Sequence, residues 1–218
     1  VETSGVTHQG VVSLEVPAGT YEVYISRGTE YELKTFEVSL NPGEAQSFKE
    51  VLERQIETPN YVATDFHLHA APSLDSDLPV RHRVRTAAAE GLEHLVATDH
   101  NFVTDYRPFI EREGLTEWLT SMIGLELTTL EAGHFNTFPI KRDKSQITRG
   151  AFEWSNRTPS ALFEQAREMG DGETIIQVNH PRDMILGYFD QYGVDPLTGT
   201  RPETSETNTD LFSILGNL

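Results

Sequence analysis

His67 and His69 flank one leucine in the stretch "TDFHLHA". Residues i and i+2 of a strand share a face, about 7 Å apart at Cα. Two imidazoles so spaced can converge on one divalent ion while Leu68 packs on the other side. Asp65 shares their face and can orient an imidazole from behind. An H-x-H pair alone is common and carries little. The weight comes from the later stretches of the chain. Asp99 and His100 close a second strand-like stretch, Glu126 a third, His134 opens "HFNTFPI", and His180 closes "ETIIQVNHPR". Five of the eight histidines thus fall near strand ends; His8, His82 and His94 stand elsewhere. In parallel α/β folds ligands gather at the carboxyl ends of strands. Imidazoles and carboxylates collected there form the donor set of a polynuclear metal site. Paired cations acidify water and neutralise charge on reacting oxygens. That is hydrolysis without a side-chain nucleophile, and no G-x-S-x-G elbow is present. Arg182 is either a clamp for an anionic substrate oxygen or half of a surface salt bridge. Asn101 either positions substrate or caps a loop, with the cap preferred.

Two kinds of element must carry these residues. Residues 1–56 alternate and turn: "VVSLEV", "YEVYIS" and "LKTFEVSL" read as strands, with "NPGE" a turn and "AQSFKEVLER" closing the segment. About four strands of a partial β-sandwich are expected there. "QIETPN" reads as a linker, and residues 57–218 form a second domain. In that domain strands alternate with helices. The helices are expected over "PVRHRVRTAAAEG", "YRPFIEREG" and "TPSALFEQAREMG". Gly91 stops the first; Thr158 caps the last, with Pro159 in its first turn and Gly170 at its end. "SMIGLELTT" reads as one strand and "ETIIQVNHPR" as a buried one. The alternation predicts an α/β fold with a mainly parallel sheet or barrel. After Arg182 the pattern fades into long loops with one or two short turns.

The 218 residues carry 17 basic and 34 acidic side chains, a formal net charge of −17. That balance argues against nucleic-acid binding and anionic lipid, which need clustered Lys and Arg. No apolar run reaches the roughly 20 residues of a membrane span. With no cysteine, thiolate ligands, disulfides and a Cys nucleophile are excluded, so any metal is held by imidazole and carboxylate. The lack of Cys leaves the compartment open, with bacterial export to the periplasm favoured over the cytoplasm. The chain begins at Val1 in mid-pattern, so its N-terminus is expected to be cut and targeting is not readable.

"DFHLHAAPSLDSD", "GLEHLVATDHN", "IGLELTT", "GHFNTFPI" and "VNHPR" occur in the order seen in the PHP superfamily, the polymerase-and-histidinol-phosphatase metal-dependent phosphoesterases. The chain most resembles the branch of carbaryl-hydrolase-like metallohydrolases. "PAGTYEVYISRGTEYE" resembles the carboxypeptidase-regulatory-like β domain that often precedes that branch. The resemblance spans residues 11–182. It implies a distorted (β/α)7 TIM-like barrel holding two or three divalent ions, Zn, Mn or Fe. It implies that His67, His69 and Glu126 bind one ion, and that Glu126 bridges to a second held by His134 and His180. A third would take His100 and Asp75, with Asp99 and Asp65 behind the ligands. The metal-bound water of this site would attack a small phosphoester or ester. The family also supplies a late D-x-H motif. None follows His180, so the barrel is expected to be incomplete at the C-terminus. The rival expectation is a non-catalytic module that binds metal, carbohydrate or a partner on a degenerate scaffold. Oligomeric state is not readable.

Overall fold

A computed structural model describes residues 3–130, 132–183 and 187–200. The fold is mixed α/β. Its elements are β1 (Gly19–Ile25), β2 (Lys34–Leu40), β3 (Thr64–Leu68), α1 (Val80–Ala89), β4 (His94–Ala97), α2 (Arg107–Arg112), β5 (Thr120–Ile123), β6 (Leu125–Thr128), β7 (His134–Phe138), α3 (Pro159–Glu168), β8 (Ile175–Val178) and α4 (Tyr188–Gln191). The chain divides into two compact units, each built from separated stretches: 1–65, 78–95 and 106–121 in the first, 66–77, 96–105 and 122–218 in the second.

In the first unit β1 and β2 pair antiparallel, with Tyr21 opposite Val38 and Val23 opposite Phe36. Their alternation puts these four on one face. The expected meander of four strands is not formed. Residues 11–16 belong to no described strand, and the 45–54 segment contributes one isolated bridge, Tyr31 with Arg54. Alternation marks which face is apolar; a strand also needs a neighbour for its N–H and C=O groups. Helix α1 buries Val80, Val84, Ala87 and Ala88 at helical spacing. It stops at Gly91, whose φ of 73° lets the Leu92 N–H reach back to the Ala87 carbonyl at 3.0 Å and its own N–H to Ala88 at 3.2 Å.

In the second unit the strands depart from a mainly parallel arrangement. The described strands form three separate sheets, ordered β1-β2, β3-β4-β5 and β6-β7-β8. The last is antiparallel throughout, with Glu126 opposite Asn136 and Phe135 opposite Val178. Only residues 129–133 join β6 to β7, too few for a parallel crossover. The single strand expected over "SMIGLELTT" is two, parted at Gly124. A Cβ there would lie 2.8 Å from Val96 Cγ1 and 2.9 Å from the Ala97 carbonyl. The bare backbone lets the chain pass that close to β4 before it enters the other sheet. Strand β8 is an edge strand, not a buried one, and Ile175 is 56% exposed.

Leu125, Leu127, Phe135, Ile140, Val103 and Leu162 form the core behind β6 and β7. Helix α3 closes over it through Leu162 and Ala166. Thr158 accepts from the Ala161 N–H at 3.3 Å, and Pro159 fills the first turn. Beyond Arg182 the described residues include α4 and turns; the rest of the loop expected there lies outside the described residues. No helix among the described residues is long and apolar enough to cross a membrane.

Candidate metal centre

All the candidate ligands lie in the second unit. Strand β3 ends at Leu68, with His67 inside it and His69 just past it. Asp99 and His100 lie two and three residues past the end of β4, and His100 forms a parallel bridge with Glu126. Glu126 is not at a strand end. It sits within β6, fully buried. His134 opens β7, and antiparallel pairing sets it opposite Thr128 at the end of β6. His180 lies two residues past β8, with a left-handed φ of 27° that non-glycine residues seldom adopt.

Glu126 is the hub of this arrangement. Its Oε1 lies 3.4 Å from His67 Nε2, 3.2 Å from His134 Nδ1 and 3.6 Å from His180 Nε2. Its Oε2 lies 3.3 Å from His69 Nε2 and 2.9 Å from His100 Nδ1. The rings crowd one another as well: His69 stacks on His100 at 4.4 Å, and His134 meets His180 edge-on at 4.7 Å. Asp75 Oδ2 stands 3.3 Å from His100 Nε2. Three groups of donor atoms can each hold an ion: His67, His69 and Glu126; His69, Asp75 and His100; His100, Glu126 and His134. His180 joins none of these groups but touches His134 Nδ1 at 3.1 Å.

A single carboxylate is poor company for five imidazoles unless something else lies among them. The two oxygens offer about four acceptor sites, one of them already taken by Asn179, so the five rings cannot all donate to them. His134 Nε2 is buried without a hydrogen-bond partner among the described residues, a costly state for a polar atom. The spacings also suit cations. Metal–nitrogen bonds of about 2.0–2.1 Å in tetrahedral geometry put neighbouring donors about 3.3 Å apart. The oxygen–nitrogen separations at Glu126 straddle that value. With nitrogen and oxygen donors only, the set suits divalent metal ions.

Burial alone would raise the Glu126 pKa. The imidazoles of His100, His134 and His67 and the Asn179 amide outweigh it and hold the carboxyl far below its usual range. Burial lowers the His69 and His180 pKa values, which favours neutral, ligating imidazole. Burial also works to lower that of His100, but its contacts with Glu126 and Asp75 raise it on balance.

The remaining candidates sit around this core. Asp99 is fully buried and its Oδ1 accepts from the Ala70 N–H at 2.7 Å and from Ser73 Oγ at 3.2 Å. Burial pushes its pKa up against those hydrogen bonds. Asp65 precedes His67 by two residues on β3. Asn101 binds the Thr128 backbone on both sides, from Nδ2 to the carbonyl at 2.9 Å and from the Thr128 N–H to Oδ1 at 3.0 Å. Those contacts are the loop-capping kind. Arg182 is engaged by Asp190 at 3.1 Å and the Val194 carbonyl at 2.6 Å, and lies over the Phe189 ring, contacts of the ion-pair kind. Residues that sequence inspection passed over matter as much. Ser73 Oγ touches His69 Nδ1 at 2.9 Å and accepts from the His100 N–H at 2.8 Å. Asn179 and Asn136 join Glu126 from the other side. Polar amides inside "HFNTF" and "IIQVN" were the visible hint.

No protein-family profile matches the chain, and no curated protein matches it. Among solved structures it is similar to a two-domain protein from Bacteroides vulgatus ATCC 8482 that contains a predicted PHP-like metal-dependent phosphoesterase. The identity is 21% and the TM-score 0.44, over 78% of this chain and 47% of that one. The chain thus spans about half the length of that protein.

Proposed function

We propose that this chain carries the metal centre of a hydrolase acting on small phosphoesters or related esters. The supporting observation is the buried Glu126 carboxylate with five imidazoles within 3.6 Å of its oxygens. His67, His69 and Glu126 would hold one ion. Glu126, His134 and His180 would hold a second, and His100 and Asp75 a third. Bound zinc, manganese or iron supplies Lewis acidity toward a phosphoryl or ester oxygen and acidifies water. The chain's own groups prepare that site. Glu126 stays ionised and offers each of its oxygens to a different set of imidazoles. Ser73 steadies His69 through Nδ1, and Asp99 holds the Ala70–Ser73 turn that carries it. Asn101 fixes the backbone after Glu126.

The same proposal includes the PHP superfamily, its carbaryl-hydrolase-like branch, a regulatory-like β domain at residues 1–56 and a TIM-like barrel in the whole protein. The charge of −17 favours a small-molecule substrate over nucleic acid. The test is elemental analysis of the purified chain, then turnover of aryl phosphate mono- and diesters and aryl acetates. Turnover is expected to vanish after chelation and return with manganese or zinc. A chain that binds no metal overturns the proposal. One that binds metal and hydrolyses none of these esters supports the non-catalytic, metal-binding alternative.

A further inference from the structure

Glu126 is anchored by a chain of amides that belongs to none of the ligand sets. Asn179 Nδ2 donates to Glu126 Oε1 at 2.8 Å and to Asn136 Oδ1 at 2.7 Å. These two bonds use both hydrogens of that amide. Asn136 Nδ2 in turn donates to the Phe66 carbonyl at 2.8 Å, next to His67. Gln177 Nε2 reaches Asn179 Oδ1 at 3.3 Å. Both asparagines are buried, Asn136 at 0% and Asn179 at 2% exposure. The register explains the juxtaposition. Glu126 faces Asn136 across β6 and β7, and Asn136 faces Gln177 across β7 and β8. Facing residues project to the same side of a sheet, so a polar row crosses three strands whose other face is apolar core. The Asn179 N–H also holds the His134 carbonyl at 3.0 Å, and Asn179 immediately precedes His180. One residue thus stands beside Glu126, His134 and His180 at once.

A carboxylate on a two-bond stem rotates unless something stops it. Here the imidazoles fall into two sets, His67, His134 and His180 at Oε1, His69 and His100 at Oε2. We propose that Asn179, braced by Asn136, is a positioning residue that locks the Glu126 carboxylate in the orientation that lets it serve two cations at once. The inference rests on the metal-centre reading and concerns how many ions the centre holds. An amide donor also adds no charge at Oε1, so it fixes the oxygen without competing as a ligand.

The test is titration of the metal-free chain with cobalt(II), following visible absorption and stoichiometry for the native protein, Asn179→Leu and Asn136→Ser. Native protein is expected to bind at least two equivalents. Each variant should bind the first equivalent and lose about 10–100-fold in affinity for the next, the usual effect of removing a group behind a metal ligand, with an altered absorption spectrum. Asn136→Ser breaks the chain one step from Glu126 and leaves Asn179 and every ligand in place, so it decides the matter even if Asn179→Leu does not fold. Native binding of two or more equivalents with unchanged variant affinities and spectra overturns this inference alone. A native chain that takes up no cobalt overturns it together with the metal-centre reading.

Discussion

Replacing Glu126 with Gln removes one charge and little else. Gln has the same length, and its amide oxygen can still accept from Asn179 Nδ2, where Glu126 Oε1 does so at 2.8 Å. The metal-free variant is therefore expected to fold. What disappears is the anionic donor shared by two of the three ligand groups, leaving only His69, Asp75 and His100 intact. Metal content after dialysis should drop to one ion per chain at most. An ion at a hydrolytic centre supplies several kcal/mol of transition-state stabilisation, and every ~1.4 kcal/mol is tenfold in rate, so turnover should fall by about a thousandfold. Elemental analysis and aryl phosphoester turnover measure the two losses separately. Thermal melts with and without manganese provide a third readout, because a ligand that binds only the folded state raises the midpoint. That rise should shrink in the variant. A Glu126→Gln chain with native metal content and more than about a tenth of native turnover would refute the assignment of Glu126 as the shared ligand.

The other predictions probe the surroundings. His100 has a raised pKa, so near neutral pH it is protonated in more of the metal-free molecules than an ordinary imidazole. Metal must displace that proton. Titration calorimetry in buffers of different ionisation enthalpy should show more proton release at pH 6.5 than at pH 8, and less in His100→Asn; equal release at both pH values would count against it. Gly124→Ala should destabilise by about 1–3 kcal/mol, since its Cβ meets the Ala97 carbonyl at 2.9 Å. It should weaken metal binding too, because Glu126 lies two residues on; denaturant melts and metal titration check both. Thr158→Ala removes the cap on the Ala161 N–H and should cost about 1 kcal/mol, read in a urea melt, with metal binding unchanged.

The candidate site was more legible than the fold, for a physical reason. Candidate ligands show themselves by residue type, and His67 and His69 also by a spacing that puts both on one face of a strand. Strand direction has no such mark. "IGLELTT" and "HFNTFPI" read identically in a parallel or an antiparallel sheet, and the clue was the shortness of residues 129–133 between β6 and β7. The same short connection explains why His134 opens its strand while the other candidates sit within or beyond theirs. Antiparallel pairing turns the start of β7 toward the end of β6, so a histidine at the beginning of one strand and a glutamate inside its neighbour reach the same point. The same pairing sets Asn136 opposite Glu126. The amide row, like the hub it supports, follows from the pairing direction, which residue types alone do not encode.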